Sequence, residues 1–214
     1  MDVRMFTVGP VAENSYIFRR DGSDRALVID PGDEAPKLLG AIEQLGVTVD
    51  GILLTHTHID HVGAVAPVAT ATGAEVWVPE IEKPVLADIN RFVPWPDLGP
   101  FENWDAEHTL AGGERLELAG FEIDLLFTPG HSPGHVSYSI ADEDALFSGD
   151  VLFQGSVGRT DLPGGDWPTL LDSIRRLVDE LSAETVVYPG HMGVTSLGAE
   201  RAHNPFLAEL AAGR

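Results

Sequence analysis

The chain has 214 residues, 43% of them hydrophobic and 22% charged, and it contains no cysteine. That length holds one domain with a real core, and the missing thiols exclude disulfides, zinc–thiolate sites and cysteine nucleophiles, so any metal must be held by imidazole and carboxylate. The formal net charge of −21, from 34 Asp+Glu against 13 Lys+Arg, argues against nucleic acid, which needs clustered cations; it fits a soluble or salt-adapted protein, or one with a cationic substrate.

In chain order, Arg4–Val8, Ser15–Phe18 and Ala26–Asp30 read as strands, the last stopped by Pro31-Gly32. Glu34–Leu45 is a predicted helix, with Leu38, Leu39, Ile42 and Leu45 at helical spacing and Gly46 as its stop. A short strand at Gly51–Thr55, a Gly/Ala-rich helix over His61–Thr72 and a strand at Ala74–Val78 follow. Residues 79–110, rich in Pro, Trp and acidic side chains, read as a helix with a long loop. That insert either lines a pocket, with Trp95, Phe101 and Trp104 as candidates, or is a passive surface loop. Four strands come next: Glu114–Leu118, Phe121–Phe127, Val136–Ile140 and Ala145–Ser148. Asp166–Leu181 is an amphipathic helix opened by Trp167-Pro168, Thr185–Tyr188 a last strand and Gly198–Ala212 a last helix. Strands followed by helices, twice over, predict one domain over 1–214, a four-layer αββα sandwich of the α/β class. No run approaches the roughly 18 apolar residues of a membrane span, and the N-terminus lacks the basic start and apolar block of a signal peptide, so a cytoplasmic protein with no membrane partner is the default expectation.

The strongest chemical signal is Thr55-His56-Thr57-His58-Ile59-Asp60-His61, directly after a buried-looking strand. His56 and His58 are two apart, so an extended backbone turns both to one side. Asp60 and His61 fall where the chain bends towards a helix and can face another point, which invites two metals rather than one. Three further strand ends repeat a pattern of apolar run, Gly or Pro, then one ligand-type residue: Pro129-Gly130-His131, Ser148-Gly149-Asp150 and Tyr188-Pro189-Gly190-His191.

With these residues the chain resembles the metallo-β-lactamase superfamily, over nearly its whole length and with the motifs in the expected order. The resemblance implies the αββα fold and a centre of two divalent metals, zinc first, with iron and manganese compatible with the same donors. His56, His58 and His131 would hold one metal, Asp60, His61 and His191 the other, and Asp150 would bridge them. Asp60 would also orient the nucleophile, a water whose pKa the two dications lower.

Within the superfamily, the segments Gly9–Tyr16, TPGHSPGHVS at 128–137 and GSVGRTDLPGGD at 155–166 resemble the glyoxalase II-like (hydroxyacylglutathione hydrolase-like) thioesterases. The implied activity is hydrolysis of a small-molecule hydroxyacyl thioester such as S-D-lactoylglutathione. About 23 residues follow His191, with Arg201 and Arg214 the only basic ones. A short form without the helical region that grips glutathione is therefore expected, and the ester of another thiol, a lactone or a simple ester stays open as substrate. The competing resemblance is to persulfide dioxygenases, in which one iron would sit on His56, His131 and Asp150. The glyoxalase-like segments turn the reading away from β-lactams, and the acidic charge turns it away from RNA. Arg159 is a candidate to orient a substrate carboxylate, or else a structural partner of Asp161 or Asp166. His135 reads as a residue behind the ligands or in the packing, with a substrate contact as the alternative. His108 and His203 carry no motif.

Overall fold

The computed structural model describes residues 1–93 and 98–212, and it folds into two compact units, Met1–Ala111 with Glu117–Phe121 and Gly112–Leu116 with Glu122–Arg214. Trp95 lies outside the described residues. Among the described residues no helix is long and apolar enough to cross a membrane.

The first unit carries a six-stranded sheet in the order β1(Asp2–Val8), β2(Glu13–Arg19), β3(Arg25–Ile29), β4(Thr48–Leu53), β5(Glu75–Pro79) and β6(His108–Leu110). The first three strands are antiparallel neighbours, and β3 to β6 run parallel. Parallel strands need crossovers, which here are helical. Helix α1(Ala35–Leu45) buries Leu38 and Ile42, one turn apart, and ends at Gly46 in the left-handed conformation. The stretch expected to be one helix over His61–Thr72 is two, α2(Ile59–Val62) and α3(Val65–Thr72). Pro67 is the reason: it has no N–H for the carbonyl of Gly63 and its ring crowds that carbonyl, so the helix must restart just before it. The Ala64 N–H instead donates to Pro31 O at 3.0 Å. The insert holds two short helices, α4(Lys83–Ala87) and α5(Ile89–Phe92), and strand β6, which sequence periodicity missed because three residues carry no period. Phe101 and Trp104, expected at a pocket, pack partly buried against the core built from Leu38, Ile52, Val65, Val68 and Val76.

The second six-stranded sheet, which apart from Glu117, Leu118 and Phe121 belongs to the second unit, comprises β7(Arg115–Leu118), β8(Phe121–Phe127), β9(Val136–Ile140), β10(Ala145–Gly149), β13(Val186–Pro189) and β14(Thr195–Ser196), ordered β14-β13-β10-β9-β8-β7, and the same unit has a small hairpin of β11(Leu152–Phe153) and β12(Ser156–Val157). Helix α6(Trp167–Glu180) starts as predicted: the Asp166 side chain accepts from Thr169 N–H at 3.0 Å, and Pro168 sits in the first turn, where no N–H is needed. Its Leu170, Ile174 and Leu177 are buried against Leu146, Val187 and Leu197, each burial worth about 1.5–3 kcal/mol. The final helix is again two, α7(Leu197–His203) and α8(Pro205–Ala212), because Pro205 cannot continue a helix across Asn204.

Candidate metal centre

In the first unit, parallel register aligns Ile29 with Leu53 and Leu53 with Trp77. The C-terminal ends of β3 and β4 therefore lie side by side, the usual ligand-binding edge of such sheets. Asp30 follows β3, and Thr55 to His61 follow β4. The buried Asp30 carboxylate accepts from Thr55 N–H at 2.8 Å, from the Thr55 hydroxyl at 2.6 Å and from His61 Nδ1 at 3.0 Å. Because the Thr55 proton points to Asp30, its oxygen accepts from His56 Nδ1–H, 3.0 Å away. Both imidazoles thus carry their proton on Nδ1 and keep the Nε2 lone pair for an electrophile.

His58, the residue just before α2, places Nδ1 3.0 Å from His56 Nε2. Two nitrogens on one tetrahedral cation, each bonded at about 2.0–2.1 Å, sit about 3.3 Å apart, so this pair fits a single ion. Asp60 lies in the first turn of α2, its Oδ2 3.8 Å from His61 Nε2 and its side chain 24% exposed. Thr57, between the two histidines, donates its hydroxyl to the buried Glu82 carboxylate at 2.6 Å. Gly32 permits this crowding, since a Cβ there would run into Asp60 O.

In the second unit, β8, β10 and β13 all point the same way, because β9 is antiparallel to β8 and β10 while β13 is parallel to β10. Their C-terminal ends share one edge, which gathers His131, Asp150 and His191. Asp150 Oδ2 lies 3.4 Å from His131 Nε2 and 3.5 Å from His191 Nε2. One carboxylate oxygen therefore lies at ligand-to-ligand spacing from two imidazole nitrogens. His131 Nδ1–H donates to Arg159 O at 2.7 Å, so the lone pair again lies on Nε2. Gly158 makes the approach possible, because a Cβ would collide with Asp150 O.

All seven ligand candidates therefore stand at strand ends, His56, His58, Asp60 and His61 together in the first unit and His131, Asp150 and His191 together in the second. The Arg159 side chain is exposed and forms a two-pronged pair with Asp161, both contacts 2.6 Å. That hydrogen-bonded pairing holds the Asp161 carboxyl down to about 2, and it is the structural alternative set out for Arg159. His135 is buried, with Nε2 accepting from Asp150 N–H. His108 stacks on Trp77 and contacts Glu75. Sequence reasoning missed Asp30, Thr55, Glu82 and the carbonyl of Arg159. Only Asp30 left a trace, as the acidic residue ending a strand before Pro31-Gly32.

Comparison with known proteins adds to this geometry. Residues 8–191 match the family model described as the metallo-beta-lactamase superfamily. The chain is 38% identical to the hydroxyacylglutathione hydrolase GloC of Haemophilus influenzae, covering 97% of this chain and 98% of that one. Among solved structures, BLEG-1, a B3 metallo-beta-lactamase, is 38% identical with a TM-score of 0.91, over 96% of this chain and 99% of that one. TTHA1623 in a di-iron-bound form is 41% identical with a TM-score of 0.84, over 95% and 100%.

Proposed function

Because the chain belongs to the metallo-beta-lactamase superfamily and has its fold, we propose that it cleaves hydroxyacyl thioesters, S-D-lactoylglutathione among them, at a centre of two divalent ions. It is a metal-dependent hydrolase of that superfamily; the thioester and the count of ions are the proposed part. One observation carries the reading: His56, His61 and His131 each commit Nδ1–H to an oxygen acceptor and keep Nε2 for a metal. With Nδ1–H committed to an oxygen, each of the three rings presents the Nε2 lone pair, the donor that a metal ion needs.

In this proposal His56, His58, Asp60, His61, His131, Asp150 and His191 hold the two ions, divided as the family pattern implies. Zinc is the first expectation, and the di-iron form of TTHA1623 supports iron as the alternative. Bound dications lower the pKa of water and polarise a carbonyl. Among the chain's own groups, Asp60 is accessible enough to accept a hydrogen bond from the attacking water and aim its oxygen at the acyl carbon. The new C–O bond forms, the C–S bond breaks and the proton leaves with the thiol. Arg159 can meet a substrate carboxylate only by exchanging its partner Asp161.

The likeness to GloC supports the thioester reading. The likeness to BLEG-1 supports a second, opening of a β-lactam, which needs the same attack of water on an acyl carbon. Metal content per chain, measured together with hydrolysis of S-D-lactoylglutathione and of a chromogenic cephalosporin, tests both. Two metals with thioester turnover is the expected result; turnover of the cephalosporin alone would select the second reading. One iron per chain, no hydrolysis and oxygen uptake with glutathione persulfide would overturn both in favour of a dioxygenase.

A further inference from the structure

His135 is fully buried and seven residues from Thr128, at the other end of the loop that carries His131. Its hydrogen bonds have a readable direction. The Asp150 N–H can only donate, and it does so to His135 Nε2 at 3.0 Å, so that nitrogen bears no proton. The proton must then be on Nδ1, which lies 2.9 Å from Thr128 Oγ1 and donates to it. Thr128, having accepted, passes its own proton 3.0 Å to Ser137 Oγ, and Ser137 donates to Ser148 O at 3.3 Å. Each donor in this series finds one acceptor, and the last is the main chain two residues before Asp150. His135, Thr128, Ser137 and Ser148 are all buried from solvent, so water does not compete for these bonds and the order is fixed by the fold.

We infer that His135 is a positioning residue: as the neutral Nδ1–H tautomer it grips the Asp150 main chain, and through it holds the Asp150 carboxylate between His131 and His191. The inference rests on the reading of Asp150 as a metal ligand. Gly149 has a positive φ of 49° and the β10 register with β13 slips between Phe147 and Gly149; beyond the slip the Gly149–Asp150 peptide is held at both ends, its carbonyl accepting from Gly190 N–H at 2.8 Å and its N–H donating to His135 Nε2. His135, the residue before β9, supplies the second of these two constraints, and Ser137 ties the same turn at Ser148.

A near-isosteric pair of variants tests this. Glutamine places its amide oxygen where Nε2 was and can still accept from Asp150 N–H; asparagine mimics Nδ1 and cannot. Zn²⁺ affinity by chelator competition and the visible absorption of the Co²⁺ form, measured on the full chain, should be nearly native in His135→Gln. In His135→Asn, affinity should be weaker by about 10–100-fold, with an altered cobalt spectrum. Long-range ¹H–¹⁵N spectra of the metal-free wild type should show His135 protonated on Nδ1 alone. If His135→Asn fails to fold, Thr128→Val, which removes the acceptor for Nδ1–H and keeps the ring, should weaken Zn²⁺ binding in the same direction. Equal affinities and spectra for the two His135 variants, or a proton on Nε2, would overturn the inference. Asp150→Asn separates the two ideas: if it binds Zn²⁺ as tightly as wild type, the ligand reading of Asp150 falls and takes the inference with it. If it loses metal while His135→Asn does not, the inference alone falls.

Discussion

Thr57, set between His56 and His58, donates its hydroxyl to Glu82 across 2.6 Å, and both partners are buried. The bond ties the histidine loop after β4 to the residue that opens α4, so the first turn of the insert supports the candidate ligands. Thr57→Val keeps the shape and removes the donor facing a buried carboxylate, which costs about 1–3 kcal/mol. Urea denaturation should show that loss with an unchanged m-value, and chelator competition should show weaker Zn²⁺ binding. Native stability together with native affinity would refute the supporting role.

Asp30 accepts three hydrogen bonds and sets the tautomers of both His56 and His61. Asp30→Asn turns one acceptor oxygen into a donor and sets it against groups that also donate. A 10–100-fold loss in metal affinity is expected. Metal-to-protein ratios during stepwise chelation measure it directly.

Asp161 is held at about 2 by its hydrogen-bonded pair with Arg159, against an ordinary 3.8. A depressed carboxyl stabilises the folded state above the unfolded value and loses that contribution as pH falls from about 3.8 through 2. Both groups are exposed, so the effect is on titration more than on global stability. NMR should find Asp161 still ionised as pH drops through 3.8 in the wild type, up to the acid-unfolding edge. In Arg159→Ala the same carboxyl should titrate within that range.

Ala119 and Gly120 join β7 to β8 with φ of 49° and 79°. Two positive φ values in a two-residue hairpin mark a turn that favours Asn-Gly. Alanine resists the left-handed region, so Ala119→Asn should raise stability by about 0.5–1 kcal/mol, read as an increase in Tm. An unchanged or lower Tm would mean that the turn is not under this strain.

Much of the candidate site was legible because its chemistry is local. His56, His58, Asp60 and His61 fall within six positions after one strand, and His131, Asp150 and His191 each close a strand behind a glycine. Strands of five to seven residues showed themselves by their apolar runs. The two- and three-residue strands β6, β11, β12 and β14 did not, since they exist only where a neighbour supplies ladder partners. The split between α2 and α3 was written in Pro67, and the split between α7 and α8 in Pro205; the helical periodicity running through both points masked them.

By itself, the sequence determined which residues have ligand chemistry, which segments bury an apolar face and which strand ends present a metal donor, since each of these depends on neighbours along the chain. Only the tertiary structure decided what each donor is held by: Asp30 behind His56 and His61, Glu82 behind Thr57, the carbonyl of Arg159 behind His131, and His135 behind Asp150. These partners are 15 to 31 residues apart in the chain or reached through an intermediary. A hydrogen bond needs two atoms within about 3 Å, and only strand register and loop closure bring such distant residues that close.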